Sequence, residues 1–141
     1  MSKIIAGIDP GVKTGLAIWN CGDQKFMHIM TVGIIRAIDN LEMLFLNKCL
    51  HEIRFEDARL RTWFGNTGRE KLQGAGSIKR DCSIWQEFCE QNKIPFQAIK
   101  PAAGNTKWNA EYFKRITGWK ERTSQHSRDA AALVFGVNRR T

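Results

Sequence analysis

The first apolar run of the chain, Ile4-Ile5-Ala6-Gly7-Ile8, stops at Asp9-Pro10-Gly11, which predicts a buried strand over Lys3–Asp9 ended by a turn. Thr14–Trp19 reads as a second strand, Cys21-Gly22-Asp23-Gln24 as a tight turn and Lys25–Val32 as a third strand, together an antiparallel meander. The period then changes. Between Ile34 and Leu50 the apolar residues Ile34, Ile35, Ile38, Leu41, Phe45 and Cys49 recur at helical spacing, which predicts a helix with one buried face. Alternation returns in His51–Ala58, a fourth strand with Ile53 and Phe55 on one face and Arg54 and Glu56 on the other.

Arg59–Gly76 mixes Gly65, Gly68, Gly74 and Gly76 with Arg59, Arg61, Arg69 and Lys71, and is predicted to be a mobile basic loop. Ile78, Cys82, Trp85 and Cys89, with Phe88 beside them, mark a second helix that ends at Asn92-Lys93. A fifth strand covers Ile94–Ile99 and is closed by Pro101. Thr106–Thr117 reads as a short basic helix, Gly118–Ser124 as a polar loop, and Ser124 as the cap of a last helix over Gln125–Val137. The order β-β-β-α-β-α-β-α, with one extra helical piece, predicts an α/β fold: a mixed five-stranded sheet with helices packed on both faces. Helical crossovers make the pairing parallel after the third strand.

The 141 residues suit one core and one domain over the whole chain. Hydrophobic residues at 43%, with no repeat or low-complexity tract, exclude an extended disordered chain. Charge adds a partner class: 22 Lys and Arg against 14 Asp and Glu leave a formal +8, which fits a polyanion such as nucleic acid. Cys21, Cys49, Cys82 and Cys89 lack paired zinc spacing and are expected to be reduced, in or near the core. No apolar run approaches the roughly 18 residues of a membrane span, so a cytoplasmic protein without membrane contact is expected.

Hydrolysis of a DNA phosphodiester brings a nucleophile to an anion and expels an alkoxide, and carboxylates converging from separate elements can hold divalent cations for that task. Asp9 ends an apolar strand where a charged side chain must leave the core, although an Asp before Pro-Gly can also serve only the turn. Glu56 lies opposite Phe55 near the end of a strand expected beside the first; Asp57 competes with it if a bulge intervenes. His126 and Asp129 share one face of the last helix, and the alanines that follow allow that helix to sit close to the sheet. His126 has three possible roles: metal ligand, general base, or phosphate donor.

Gly7-Ile8-Asp9-Pro10-Gly11 with Thr14-Gly15, then Glu56, then His126-x-x-Asp129 before Ala-Ala-Ala-Leu, resembles the RuvC-type Holliday-junction resolvases of the ribonuclease H-like superfamily over nearly the whole chain. The resemblance implies a Mg²⁺- or Mn²⁺-dependent endonuclease whose metal ligands are Asp9, Glu56, His126 and Asp129, with His126 where many members carry Asp. It also implies lysines near the scissile phosphate, here Lys100 ahead of Lys107, because the segment between them is shorter than usual, with Lys114 or Lys120 as substitutes for the latter. A stacking aromatic is implied after the Glu strand, where Arg59 stands; Trp63-Phe64 lie slightly further along and either stack on a base or belong to the core. Arg59, Arg61, Trp63, Phe64, Arg69, Lys71, Lys79, Lys107 and Lys114 are the expected DNA contacts. Family members nick four-way junctions as homodimers, and the Trp85, Phe88 and Cys89 face either makes that interface or packs on the sheet. The brevity of the chain points to a phage or prophage variant. Two other readings stand beside this one: a nuclease for forks and flaps, and an inactive DNA-binding module.

Overall fold

A computed structural model describes residues 3–61, 69–101 and 107–138, with 69–75 described by backbone alone. Its centre is a five-stranded sheet in the order β3-β2-β1-β4-β5. β1 (Ile4–Asp9), β2 (Lys13–Asn20) and β3 (Lys25–Gly33) form the antiparallel meander, while β4 (Leu50–Glu56) and β5 (Phe96–Ile99) run parallel to β1.

Alternation along the strands divides the core in two. Ile4, Ala6 and Ile8 of β1, Leu16 and Ile18 of β2 and Ile53 and Phe55 of β4 point to the face covered by α1 (Ile34–Leu46) and α2 (Arg69–Gln91). Ile5, Ala17 and Trp19 point to the other, covered by α3 (Ala110–Thr117) and α4 (Gln125–Ala132). Helices thus lie on both faces, as the pattern predicts.

Several boundaries differ from expectation. α1 stops at Leu46, four residues before Leu50, because Lys48 takes a left-handed φ of 58° and the Cys49 amide turns back to the Leu44 carbonyl, freeing Leu50 to begin β4. The end of the expected basic loop Arg59–Gly76 is helix from Arg69 on: α2 begins there, since Arg69, Glu70, Lys71, Leu72 and Gln73 are strong helix formers that outweigh Gly74 and Gly76 at about 1 kcal/mol each. The segment 107–109 precedes α3 as non-helical chain, with Asn109 capping the helix through the Tyr112 amide. α4 is regular only to Ala132, after which turns lead to Gly136 at φ 77°.

Trp85, Phe88 and Cys89 are buried against the sheet, so this face of α2 is committed to the core and is not open to a second copy. A large side chain so buried contributes roughly 1.5–3 kcal/mol. Burial pushes the Cys82 thiol up to about 11 and Cys89 to about 12, which makes both inert core groups; all four cysteines are free. Among the described residues, no helix is long and apolar enough to cross a membrane.

Candidate active site

Asp9 is the last residue of β1 and, by the alternation that buries Ile8 on the α1–α2 side, projects to the α4 side. Thr14 Oγ1 donates to the Gly11 carbonyl at 2.8 Å and fixes the turn that follows. Glu56 ends the neighbouring strand β4, one residue past the Ile8–Phe55 pairing, and shares the face of Asp9. Cys82 Sγ donates to the Glu56 carbonyl at 3.6 Å, which ties the end of β4 to α2.

The other half of the site comes from α4. Ser124 caps this helix, accepting from the Ser127 amide while the Ser127 hydroxyl accepts from the Ser124 amide. The helix lies very close to the sheet because Gly7 and Gly15 carry no side chain beneath it. A Cβ on Gly7 would stand 2.2 Å from the Ala130 carbonyl oxygen, and one on Gly15 2.0 Å from that of His126. Close approach carries His126 and Asp129 to the strand ends. His126 Nδ1 lies 2.9 Å from Asp9 Oδ2; when Asp9 is ionised it has no proton to give, and Nδ1 is then the donor.

Asp9, Glu56, His126, Asp129, Lys107, Arg61 and Gln125 line one cleft of about 300 Å³. Lys107 Nζ is 3.2 Å from Asp129 Oδ2, and Gln125 Nε2 donates to Asp129 Oδ1 at 2.7 Å. Burial pushes the Asp9 carboxyl above its ordinary value, and Asp129 adds to the rise, against the hydrogen bond from His126 and the charges of His126 and Lys107. Burial likewise raises Glu56, reinforced by Asp9 and Asp129 and opposed by Lys107 and Arg61. Burial alone would lower Lys107, but its bond to Asp129 and the other carboxylates outweigh it, so its ammonium is firmly charged.

Three carboxylates and an imidazole in one basin, two of the carboxyls destabilised by burial and mutual repulsion, form a donor set that fits a hard divalent cation. In the arrangement described, Asp9 is turned to His126 and Asp129 to Gln125 and Lys107, and among the described residues no three such side chains already stand at ligating separation.

The remaining expected residues fall elsewhere. Lys100 is exposed just beyond β5 and does not line the cleft, whereas Lys107 does, which reverses the order that the sequence resemblance gave them. Asp57, the competitor of Glu56, is buried and binds Arg59 at 2.8 Å, so it serves the structure. Arg59 also donates to Ser83 and Gln86 and is held by these contacts rather than presented to a ligand. Lys79, Lys114 and Lys120 are exposed on α2, on α3 and in the loop before α4. Trp63 and Phe64 lie outside the described residues, and Arg69 and Lys71 are placed on α2 by backbone only. Gln125 and Arg128, which the sequence did not single out, form a hydrogen-bond network behind Asp129; their i, i+3 spacing is the only local sign of it.

A sheet in this order with helices on both faces is the ribonuclease H-like architecture. Among solved structures, RuvC from T. thermophilus, in complex with a Holliday junction substrate, shares it at a TM-score of 0.60 and 19% identity, over 94% of this chain and 90% of that one. At that identity the likeness is one of fold. No family model matches the sequence, and no curated protein matches it.

Proposed function

We propose that the protein is a divalent-metal-dependent endonuclease that resolves four-way DNA junctions as a homodimer. The observation that carries this reading is the cleft that gathers Asp9, Glu56, Asp129, His126 and Lys107 at one end of the sheet, in a fold shared with a protein solved on a Holliday junction. A formal charge of +8 supplies the attraction for a polyanion.

Asp9, Glu56 and Asp129 would hold Mg²⁺ or Mn²⁺, with His126 beside them. A cation bound there neutralises charge that builds on the phosphate oxygens. Water attacks phosphorus, the exposed imidazole of His126, oriented by Asp9, is placed to take its proton, and one P–O ester bond breaks as the released oxygen takes a proton from solvent. Lys107 sets a fixed positive charge against the phosphate, and Arg61 lines the same cleft. Opposed strands require two clefts related by a twofold axis, and with Trp85, Phe88 and Cys89 in the core the dimer must use another surface.

The test is cleavage of a synthetic four-way junction in Mg²⁺ or Mn²⁺ beside Asp9→Asn, with sedimentation to count subunits. The variant should bind the junction and not cut it. Equal cutting of forks and flaps would widen the substrate class to branched DNA, and absence of cleavage under every metal condition would leave a DNA-binding module.

A further inference from the structure

The guanidinium of Arg128 is engaged on three sides. Its Nε donates to the Trp108 carbonyl at 3.0 Å, Nη1 to the carbonyl and hydroxyl of Thr123 at 2.9 Å each, and Nη2 to Gln125 Oε1 at 3.1 Å. With its oxygen turned to Arg128, the Gln125 amide must present its nitrogen the other way, and Nε2 donates to Asp129 Oδ1 at 2.7 Å and to the Trp108 carbonyl at 3.3 Å. The Trp108 carbonyl therefore accepts from both side chains, and Trp108 follows Lys107, whose ammonium reaches the other oxygen of Asp129.

We propose that Gln125 and Arg128 are positioning residues, a clamp that fixes the rotamer of Asp129 and the approach of Lys107 so that both enter the cleft together. This rests on the nuclease reading above. A carboxylate at the end of a free side chain must lose rotamer freedom to bind a cation; here that freedom is already removed by a donor which is itself held by a planar fork. Hydrogen-bond partners behind a metal ligand commonly govern metal affinity in this way. The same fork joins the segment before α3 to the N-terminal turn of α4, so the lysine and the carboxylate cannot drift apart independently.

The experiment compares the full chain with Gln125→Ala, Gln125→Met, Arg128→Ala and Arg128→Lys. Two quantities are read: Mn²⁺ binding by the DNA-free protein, from the electron paramagnetic resonance of free Mn²⁺, and the Mg²⁺ dependence of junction cleavage. Gln125→Ala should raise the half-saturating Mn²⁺ about tenfold or more, with cleavage recovering as Mg²⁺ is increased. Gln125→Met, of similar volume, uncharged and unable to donate, should behave like Gln125→Ala, and Arg128→Lys should bind Mn²⁺ less tightly than the wild type because an ammonium cannot span the four acceptor atoms. If Gln125→Ala lowers the melting temperature, Gln125→Met carries the test. Both glutamine variants titrating like the wild type would overturn the clamp alone; a wild type that neither binds Mn²⁺ nor cuts would overturn the nuclease reading and the clamp with it.

Discussion

Gly15 lies directly under the backbone of His126: a methyl group there would stand 2.0 Å from the His126 carbonyl oxygen, 2.4 Å from its carbon and 3.0 Å from the Ser127 nitrogen. All three are main-chain atoms of a helix, which no rotamer change can move aside. Gly15→Ala must therefore push the first turn of α4 off the sheet, and with it His126. The expected cost is about 1–3 kcal/mol, seen as a lower denaturation midpoint at unchanged slope. Junction cleavage should fall further than stability, because the Asp9–His126 distance of 2.9 Å depends on the same contact. A stable, fully active Gly15→Ala would refute the close-packing account of the site.

Glu56 makes the opposite contribution to stability. Burial, then Asp9 and Asp129, raise its carboxyl pKa in the folded protein, so the native state binds its proton more tightly than the unfolded chain does. Stability from this group is present below the unfolded pKa and is lost as pH rises through the folded one. Glu56→Gln should thus be more stable than the wild type at pH 7, by about 2–4 °C in melting temperature for roughly 1 kcal/mol, with the gain shrinking toward pH 4. It should also be inactive. A Glu56→Gln protein that melts below the wild type at pH 7 would contradict the assigned environment.

Asp9 and Glu56 were legible because strand alternation is a strong local signal: with Ile8 and Phe55 in the core, their successors have to face the other side. The His126-x-x-Asp129 spacing and the alanines after it likewise foretold which face of α4 meets the sheet. What the chain does not show locally was missed. Gly7 and Gly15 read as parts of a motif, yet their physical role depends on a helix more than a hundred residues later. Arg128 and Gln125 look like ordinary first-turn polar residues until the Trp108 carbonyl is brought beside them. The start of α2 is not legible locally, because Gly74 and Gly76 mask the strong helix formers Arg69–Gln73 before them.

The Asp57–Arg59 pair gives a pH prediction of the other sign. Burial tends to raise the Asp57 carboxyl, but hydrogen bonds from the Arg59 side chain and amide outweigh this and hold it below the ordinary carboxylate range. Its stabilisation is present above the unfolded pKa and disappears as pH falls through the depressed folded value. Asp57→Asn should cost about 2–3 kcal/mol at pH 7, and the gap to the wild type should begin to narrow as pH falls past about 3.9, where the unfolded group titrates, and close once pH lies below the depressed folded value. Arg59→Ala should lower stability while leaving the salt dependence of DNA binding nearly unchanged, as its guanidinium is held by Asp57, Ser83 and Gln86. An equal loss in salt slope would return Arg59 to the DNA contacts.

Lys107 and Lys100 offer the sharpest comparison, because a resemblance in sequence ranks them one way and the cleft ranks them the other. Lys107 lines the cleft 3.2 Å from Asp129, while Lys100 projects from the end of β5 outside it. A fixed cation beside a reacting phosphate stabilises charge that develops only as the bond breaks, so its removal lowers kcat more than it weakens binding. Lys107→Met should reduce single-turnover cleavage about a hundredfold, with junction affinity in the absence of cleavage changed far less. Lys100→Met should act mainly through the loss of one exposed positive charge, visible as a small drop in affinity that added salt abolishes. A larger rate loss for Lys100→Met than for Lys107→Met would mean that the cleft lined by Lys107 is not the one that cuts.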